Sequence, residues 1–149
     1  MKKEVIIAAS GYFDPLHLGH VEYLKKAKEL GDKLIVIVNN DKQAHLKKGY
    51  EFMPLAERVE IVKAIKWVDE VFVSIDEDKT QCKTLAHLKP HIFAKGGDRT
   101  SDEIPESETC RIHGIKIVDG LGAKIQSSSW LIANKEEKEK EISTHKPVN

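Results

Sequence analysis

Two histidines, His17 and His20, lie three residues apart just after a short apolar run and a glycine-containing turn. Residues at this spacing on a helix project from one face, so both imidazoles should point to the same place. The N-terminus of such a helix offers backbone N–H donors and a partial positive charge, which suit a phosphate. Imidazoles aimed at a phosphate can stabilise the charge that develops in phosphoryl or nucleotidyl transfer.

The residue types and spacing alone also allow two other interpretations of this pair. Either histidine alone could be an ordinary helix residue with a satisfied side chain. The pair could also bind zinc, but metalloprotease helices use an i, i+4 spacing with a glutamate between the ligands. No third ligand of a suitable kind is evident near His17 and His20, so we predict no metal ligands from the chain itself.

The elements that must position the histidines follow from an alternation of short apolar runs with longer amphipathic segments. This alternation is typical of an α/β fold in which crossover helices connect parallel strands. We therefore predict a single Rossmann-type domain with a five-stranded parallel sheet flanked by helices. The strands are expected at Val5–Ala9, Lys33–Val38, Glu70–Ser74, His91–Lys95 and Lys116–Val118.

The predicted helices fill the intervals between these strands. The first, His17–Leu30, has apolar residues near helical spacing, and Gly31 stands where a C-cap is expected. A second opens at Met53-Pro54-Leu55 and runs through Ile65, because proline is favoured in a first turn. A third, capped by Asp78 or Thr80, ends at Lys89-Pro90. Further helices are expected at Ile104–Ile112 and from Ser127 to about Lys140.

The bulk properties indicate a small globular protein and exclude several classes of partner. The chain has 149 residues, and its 24 lysines and arginines balance its 24 acidic residues. Without a basic excess, a nucleic-acid partner is not expected. The apolar run near the N-terminus is too short for an export signal or a membrane span, so we expect a cytoplasmic protein. Residues 1–134 should form the domain, and residues 135–149 a charged helix end or disordered tail.

The segment Gly11-Tyr-Phe-Asp-Pro-Leu-His-Leu-Gly-His20 resembles the G-x-F-D-x-x-H-x-G-H signature of the cytidylyltransferase-like nucleotidyltransferases, at every signature position. The resemblance implies that His17 and His20 bind the triphosphate of a nucleotide and stabilise the transition state. It places Asp14 beside the phosphates or the acceptor. Gly11, Tyr12 and Phe13 would contribute to nucleotide binding, although simple core packing is the alternative for Phe13. Mg²⁺ is expected with the nucleoside triphosphate.

The resemblance also suggests residues for the triphosphate and the acceptor after the second strand. A basic residue of the family approaches the phosphates in this region, so Lys47 or Lys48 is a catalytic candidate, and solvated surface charge is the alternative. Asn39 and Asp41, at the carboxyl edge of the sheet, could face the acceptor, or could simply form a turn. Arg58 lies in a segment similar to the family's P-x-x-x-R and is a further acceptor candidate. A surface or ion-pairing role is its alternative.

Two later segments bear on the choice of nucleotide. Lys95-Gly96-Gly97-Asp98 follows the fourth strand, where glycines let a ligand approach the backbone and an aspartate can accept hydrogen bonds from a base or sugar. Ser127, Ser128 and Ser129 start the last predicted helix and could present hydroxyls to phosphate, or merely cap the helix. Gly122 stands where glycerol-3-phosphate cytidylyltransferases have an arginine, for which Lys124 could substitute.

Together these segments predict an enzyme that joins a nucleoside monophosphate to a small phosphorylated acceptor and releases pyrophosphate. Lys-Gly-Gly-Asp, with Val-Asn-Asn-Asp after the second strand, looks most like the heptose-1-phosphate adenylyltransferases, which favours ATP and a sugar phosphate. Cytidylyl transfer to a polyol or amino-alcohol phosphate is an alternative, and pantetheine phosphate, nicotinate or flavin nucleotides are further acceptors. A non-catalytic nucleotide sensor is the alternative of another class. Relatives are commonly oligomers, so a homo-oligomer is expected.

Overall fold

The structure, a computed structural model, describes residues 3–96 and 104–121. These residues form five strands and five helices. The strands are β1 (Ile6–Gly11), β2 (Lys33–Val38), β3 (Glu70–Val73), β4 (Ile92–Gly96) and β5 (Lys116–Leu121). The helices are α1 (Leu18–Lys28), α2 (Asp41–Lys48), α3 (Leu55–Lys63), α4 (Cys82–Leu88) and α5 (Ser107–His113). None of the described helices is long and apolar enough to cross a membrane.

The strands form one sheet in the order β3-β2-β1-β4-β5, and every neighbouring pair is parallel. This confirms the α/β class and the five-stranded parallel sheet. The central strand, β1, has β2 on one side and β4 on the other, so the direction of winding reverses between β1 and β4. Open parallel sheets bind ligands in the crevice at such a reversal, beyond the carboxyl ends of the strands.

The two faces of the sheet are covered by different helices. On one face, Tyr23, Leu24 and Ala27 of α1 and Val62 of α3 pack against β1 and β2. On the other face, Leu85 of α4 and Cys110 of α5 belong to a second core cluster. Burial on both faces explains why the central strands are almost continuously apolar. The core therefore holds the carboxyl ends of β1, β2 and β4 in fixed positions.

The sequence-based prediction missed one helix, α2. It begins after Asn40, whose side chain accepts from the backbone N–H of Gln43, while the Gln43 side chain accepts from the backbone N–H of Asn40. This reciprocal pair is a capping box. Asp41, predicted in a turn, is the first residue of this helix, and Lys47 and Lys48, predicted in the following loop, are its last two.

Other boundaries and caps also differ from the prediction. Helix α1 ends at Lys28 with Glu29 as its C-cap, so Gly31 does not fill that role. A Cβ at Gly31 would lie 2.8 Å from the Val5 carbonyl oxygen, which shows that glycine is needed there for close packing. The third predicted helix corresponds to α4, and neither of its predicted N-caps, Asp78 and Thr80, makes the main capping hydrogen bonds. The buried Asp76 carboxylate accepts from the backbone N–H groups of Lys83 and Thr84 near the start of α4.

Tyr23 joins the two strands that border the crevice. Its hydroxyl donates to the Ala94 carbonyl of β4 and accepts from the Ser10 N–H of β1 at 3.2 Å. The side chain is buried, and burial raises the pKa of the phenol. A buried hydroxyl that satisfies two backbone groups fixes the separation of the two strands at the carboxyl edge.

We expect Tyr23→Phe to lower the free energy of unfolding by about 1–3 kcal/mol, because two backbone groups lose their partner in a buried region. Tyr50→Phe is the matched control, since Tyr50 is 52% exposed. Urea unfolding of both variants, followed by circular dichroism, measures the difference. Equal stability of the two variants would show that the bridge between β1 and β4 contributes nothing.

Candidate active site

The turn between β1 and α1 carries the two histidines at the edge of the crevice. Strand β1 ends at Gly11, and α1 begins at Leu18 with His17 as its N-cap. Phe13 has a φ of 52°, and the peptide bond between Asp14 and Pro15 is cis. No acidic residue occurs in the first turn of α1, so the helix dipole is not neutralised there by a carboxylate.

The imidazoles of His17 and His20 are stacked, with ring centroids 3.8 Å apart and an interplanar angle of 23°. His17 Nδ1 accepts from the backbone N–H of Gly19, and His20 Nδ1 accepts from the backbone N–H of His17, each at 3.1 Å. The pair thus forms a capping box made of two histidines. The spacing therefore does bring both rings together at the helix N-terminus.

These hydrogen bonds fix the tautomer of both rings. Because each Nδ1 accepts a hydrogen bond, the proton of each neutral imidazole is on Nε2, which is a donor. Burial lowers the pKa of His17. Burial, and the nearby His17 and Lys47, lower the pKa of His20 to about 3. Near pH 7 both rings are neutral and offer Nε2–H groups, which is suitable for donating hydrogen bonds to phosphate oxygens.

Phe13 connects the turn to the core. Its side chain is 1% exposed, and its ring meets the edge of His20 at a centroid distance of 5.0 Å. A Cβ at Gly11 would lie 2.8 Å from Phe13 Cζ, so the glycine makes room for this ring. The expectation that Phe13 packs in the core is confirmed. A nucleotide contact by Phe13 or Gly11 stays a prediction and is restricted to backbone atoms.

Tyr12 and the two candidate lysines lie around the same edge. Lys47 Nζ is 4.5 Å from the centroid of the Tyr12 ring. Lys48 Nζ lies 2.6 Å from Asp14 Oδ2 and 3.0 Å from the Asp14 carbonyl oxygen. Burial raises the pKa of Tyr12, and a hydrogen bond with the Asn39 side chain opposes this effect. Both lysines at the end of α2 are therefore held near the histidine turn by contacts within the protein.

Arg58 is fully buried, so the alternative prediction that it lies on the surface is wrong. Its guanidinium donates to three backbone carbonyls and to one carboxylate. The acceptors and distances are Met53 O at 3.0 Å, Tyr12 O at 2.9 Å, Asn39 O at 2.6 Å and Asp41 Oδ1 at 2.7 Å. Arg58 thus joins the segments that follow β1 and β2 to the start of α3.

All four residues expected at the acceptor have polar groups engaged by the protein, and three of them are buried. Asp14 and Asn39 are 3% and 2% exposed, and Arg58 is inaccessible. Both carboxylate oxygens of Asp14 accept hydrogen bonds from residues 48–53. Asp41, whose side chain is 44% exposed, pairs with Arg58. Contact between these residues and an acceptor stays a prediction, and the geometry adds a structural role to each.

The remaining predicted nucleotide residues are described only in part. Lys95 is half-buried, with Nζ 5.4 Å from the centroid of the Phe93 ring. Gly96 ends β4, where a Cβ would lie 3.3 Å from the Leu121 carbonyl oxygen. The other predicted residues lie outside the described ranges, and they are Gly97, Asp98, Lys124, Ser127, Ser128 and Ser129.

Sequence reasoning did not single out two further features of this edge. Asn40 Nδ2 donates to the Ser74 and Asp76 carbonyls, and Gln43 holds the same loop through Asp78 and Thr80. The asparagine followed three residues later by glutamine is a capping signal that could have been recognised. Within the described residues, Gln81 Oε1 and Glu106 Oε1 are buried without a hydrogen-bond partner. No pattern in the sequence indicates that pair.

The fold is that of an α/β nucleotidyltransferase, and three comparisons with known proteins agree. The cytidylyltransferase-like family model matches residues 8–147. The bifunctional protein HldE of Pelobacter propionicus is 42% identical over 123 residues, which are 77% of this chain and 25% of that protein. FAD synthase of Thermococcus sibiricus is 41% identical over 102 residues, 68% of each chain. A lipopolysaccharide core biosynthesis protein from Thermoplasma volcanium has a similar structure, with a TM-score of 0.69 and 30% identity over 80% of this chain and 98% of that one.

The chain belongs to the cytidylyltransferase-like family, as the resemblance of the Gly11–His20 segment predicted. It is an enzyme of the nucleotidyltransferase class. The chain spans only about a quarter of the length of the HldE protein, so the match covers one part of that bifunctional relative.

The buried guanidinium of Arg58 leads to a prediction about stability. Arg58→Met should lower the free energy of unfolding by at least about 3 kcal/mol, because three carbonyls lose their donor and each unsatisfied buried group costs roughly 1–3 kcal/mol. Arg111→Met is the control, since Arg111 is an exposed residue of α5 that pairs with Glu108. Chemical denaturation should show a large loss for the first variant and little change for the second. Similar midpoints would contradict the proposed importance of Arg58.

The lowered pKa of His20 leads to a prediction about pH. In the unfolded state His20 is protonated as the pH falls below 6.5, whereas in the folded state it is protonated only near pH 3. The free energy of unfolding therefore decreases as the pH falls from 6.5 toward 3. At pH 5 the expected loss from this residue is about 2 kcal/mol, from 1.36 kcal/mol per pH unit. His20→Gln should lose correspondingly less stability between pH 7 and pH 5, whereas the exposed-site variant His113→Gln should behave like the wild type. An identical pH dependence in all three proteins would rule out a half-buried His20 that stays neutral at pH 5.

Proposed function

We propose that this enzyme transfers the adenylyl group of ATP to the phosphate of a small phosphorylated acceptor and releases pyrophosphate. The observation that carries the proposal is the stacked histidine pair, with both Nδ1 atoms occupied and both Nε2–H groups available as donors. This pair lies at the N-terminus of α1, beside the crevice between β1 and β4. Neutral imidazoles in this position can bind phosphate oxygens without giving up a proton.

The reaction needs positioning and charge stabilisation, and no covalent intermediate. An oxygen of the acceptor phosphate attacks the α-phosphorus in line, and the bond from that phosphorus to the bridging oxygen of the β-phosphate breaks. Pyrophosphate leaves with the electron pair. His17 and His20 would hold the phosphate oxygens, and Lys47 or Lys48 would offset the developing negative charge. Mg²⁺ enters as part of the MgATP substrate, because phosphate oxygens are the ligands it prefers.

Two features support ATP as the nucleotide. Lys95-Gly96-Gly97-Asp98 resembles the corresponding segment of heptose-1-phosphate adenylyltransferases. In addition, the relatives from Thermococcus sibiricus and Pyrococcus abyssi are FAD synthases, which are 41% and 36% identical to this chain. FAD consists of FMN and an adenylyl group, so the name of these relatives describes transfer to a phosphate monoester.

For the acceptor we favour a sugar phosphate, and FMN is the second candidate. The sugar phosphate is supported by the Lys-Gly-Gly-Asp resemblance. It is also supported by the structural relative described as a lipopolysaccharide core biosynthesis protein, of which this chain covers 98%. The similarity to FAD synthases supports FMN, because 68–78% of the length of those proteins aligns with this chain.

A pyrophosphate-release assay separates these possibilities. Each of the four nucleoside triphosphates is combined with a sugar 1-phosphate panel, FMN or glycerol 3-phosphate. Release with ATP and a sugar phosphate supports the favoured acceptor, and release with ATP and FMN supports the second. Release only with CTP would overturn the assignment of ATP. Tight ATP binding with no release from any pair would instead indicate a nucleotide sensor.

His17→Ala and His20→Ala should each lower kcat by roughly 10² or more, by analogy with the loss of one preorganised oxyanion donor. The loss should be larger in kcat than in KM, because the hydrogen bonds strengthen as charge develops in the transition state. His113→Ala, at an exposed position of α5, is the control and should keep full activity. Unchanged kcat in both single variants, with intact folding, would refute the catalytic assignment of the pair.

A further inference from the structure

The Asp14 carboxylate is completely buried and is surrounded by three donors. Its Oδ1 accepts from the Met53 N–H at 2.5 Å, and its Oδ2 accepts from the Phe52 N–H at 2.7 Å. The Lys48 ammonium is the third donor, at 2.6 Å from Oδ2. Asp14 side-chain exposure is 0%, whereas that of Lys48 is 24%. Asp14 thus lies beneath a partly accessible lysine.

Neither carboxylate oxygen of Asp14 relies on Lys48 as its sole hydrogen-bond donor. Each oxygen already accepts one hydrogen bond from the backbone, so both stay satisfied when the ammonium leaves. Burial alone would raise the pKa of Asp14, but the Lys48 hydrogen bond and the two backbone N–H groups together hold it below its usual value. When the ion pair is broken, the two backbone N–H groups remain as hydrogen-bond partners of the carboxylate.

The position of the ion pair relates it to the histidines. Asp14 precedes His17 by three residues, and Lys48 is the last residue of α2. The preceding residue, Lys47, lies over the Tyr12 ring, and its charge contributes to the lowered pKa of His20. The end of α2 is therefore electrostatically coupled to the histidine pair. An anion bound by the histidines would attract the Lys48 ammonium, which has a flexible stem and three donors.

We propose that Asp14 is a positioning residue that holds Lys48 beside the phosphate-binding face, and that the Lys48 ammonium moves from Asp14 to the triphosphate when MgATP binds. This inference rests on the proposed function. It replaces the acceptor contact predicted for Asp14 with a role through Lys48. Asp14 keeps its two backbone hydrogen bonds through the exchange.

The first test follows the carboxylate directly at pH 7. Protein labelled with ¹³C at aspartate is titrated with MgATP, and binding is measured in parallel by calorimetry. In the wild type, the Asp14 ¹³Cγ signal should move on binding toward its position in ligand-free Lys48→Met, because both states lack the ammonium hydrogen bond. In Lys48→Met the signal should barely respond. Lys42→Met, which removes a lysine of α2 that pairs with exposed Glu77, should respond like the wild type.

The outcomes separate the exchange from the proposed function. Absence of MgATP binding by the wild type would count against the proposed function. Binding with an unmoved Asp14 signal, or with an equal response in Lys48→Met, would overturn the exchange alone. The measurement requires only the wild type and lysine variants, so it does not depend on the stability of an Asp14 variant.

A double-mutant cycle provides the kinetic test. Asp14→Asn should lower kcat/KM for ATP by on the order of 10-fold to 100-fold in the wild-type background, because the lysine is no longer placed. In the Lys48→Met background the same change should have little further effect, since the group it positions is already absent. Thermal melting shows whether each variant folds. Independent, multiplicative losses in folded variants would contradict a role through Lys48.

Discussion

The arrangement of the active-site edge depends on one buried guanidinium. Arg58 reaches from α3 to the backbones of Tyr12 and Asn39, the residues that follow β1 and β2, and it also binds Met53. A buried charge is costly unless its hydrogen bonds are made, and here the side chain has four acceptors. The planar, forked geometry of arginine suits this task, whereas lysine could not span the same acceptors.

Arg58 and Asp14 together determine the path of the segment before α3. Arg58 holds the carbonyl of Met53, and Asp14 holds the N–H groups of Phe52 and Met53. The same carboxylate receives Lys48, so the end of α2 and the start of α3 are attached to the turn that carries the histidines. Two buried charged side chains thus convert three separate loops into one preorganised surface. Such preorganisation suits the proposed transfer reaction, which depends on charge stabilisation and not on a covalent intermediate.

Much of the fold could be predicted from the sequence, because apolar periodicity directly reports burial. The bounds of β2 agree with the prediction, and the other strands differ by one to three residues at their ends. The missed helix, α2, contains mainly polar residues, so its apolar pattern is weak, and its stability comes from the capping box and the buried Gln43. Local capping signals would have been the better guide in that segment.

In the candidate site, local geometry could be predicted from the sequence, whereas long-range contacts could not. The spacing of His17 and His20 sufficed to place both rings together, because helix geometry is a local property. The partners of Asp14 and Arg58 are mostly backbone groups from segments up to 46 residues away. Backbone groups have no signature in the sequence, so residue type alone could not distinguish a ligand-binding side chain from one that holds loops.

We infer that the protein backbone fixes His17 and His20 as neutral Nε2–H donors and that these donors face a bound triphosphate. Nitrogen-15 NMR of the imidazoles at pH 7, with and without MgATP, measures both properties. We expect protonated Nε2 and unprotonated Nδ1 in both rings of the free protein, and a change in both Nε2–H signals when MgATP binds. Cationic rings, protonated Nδ1 atoms, or Nε2–H signals that do not respond to bound MgATP would refute the inference.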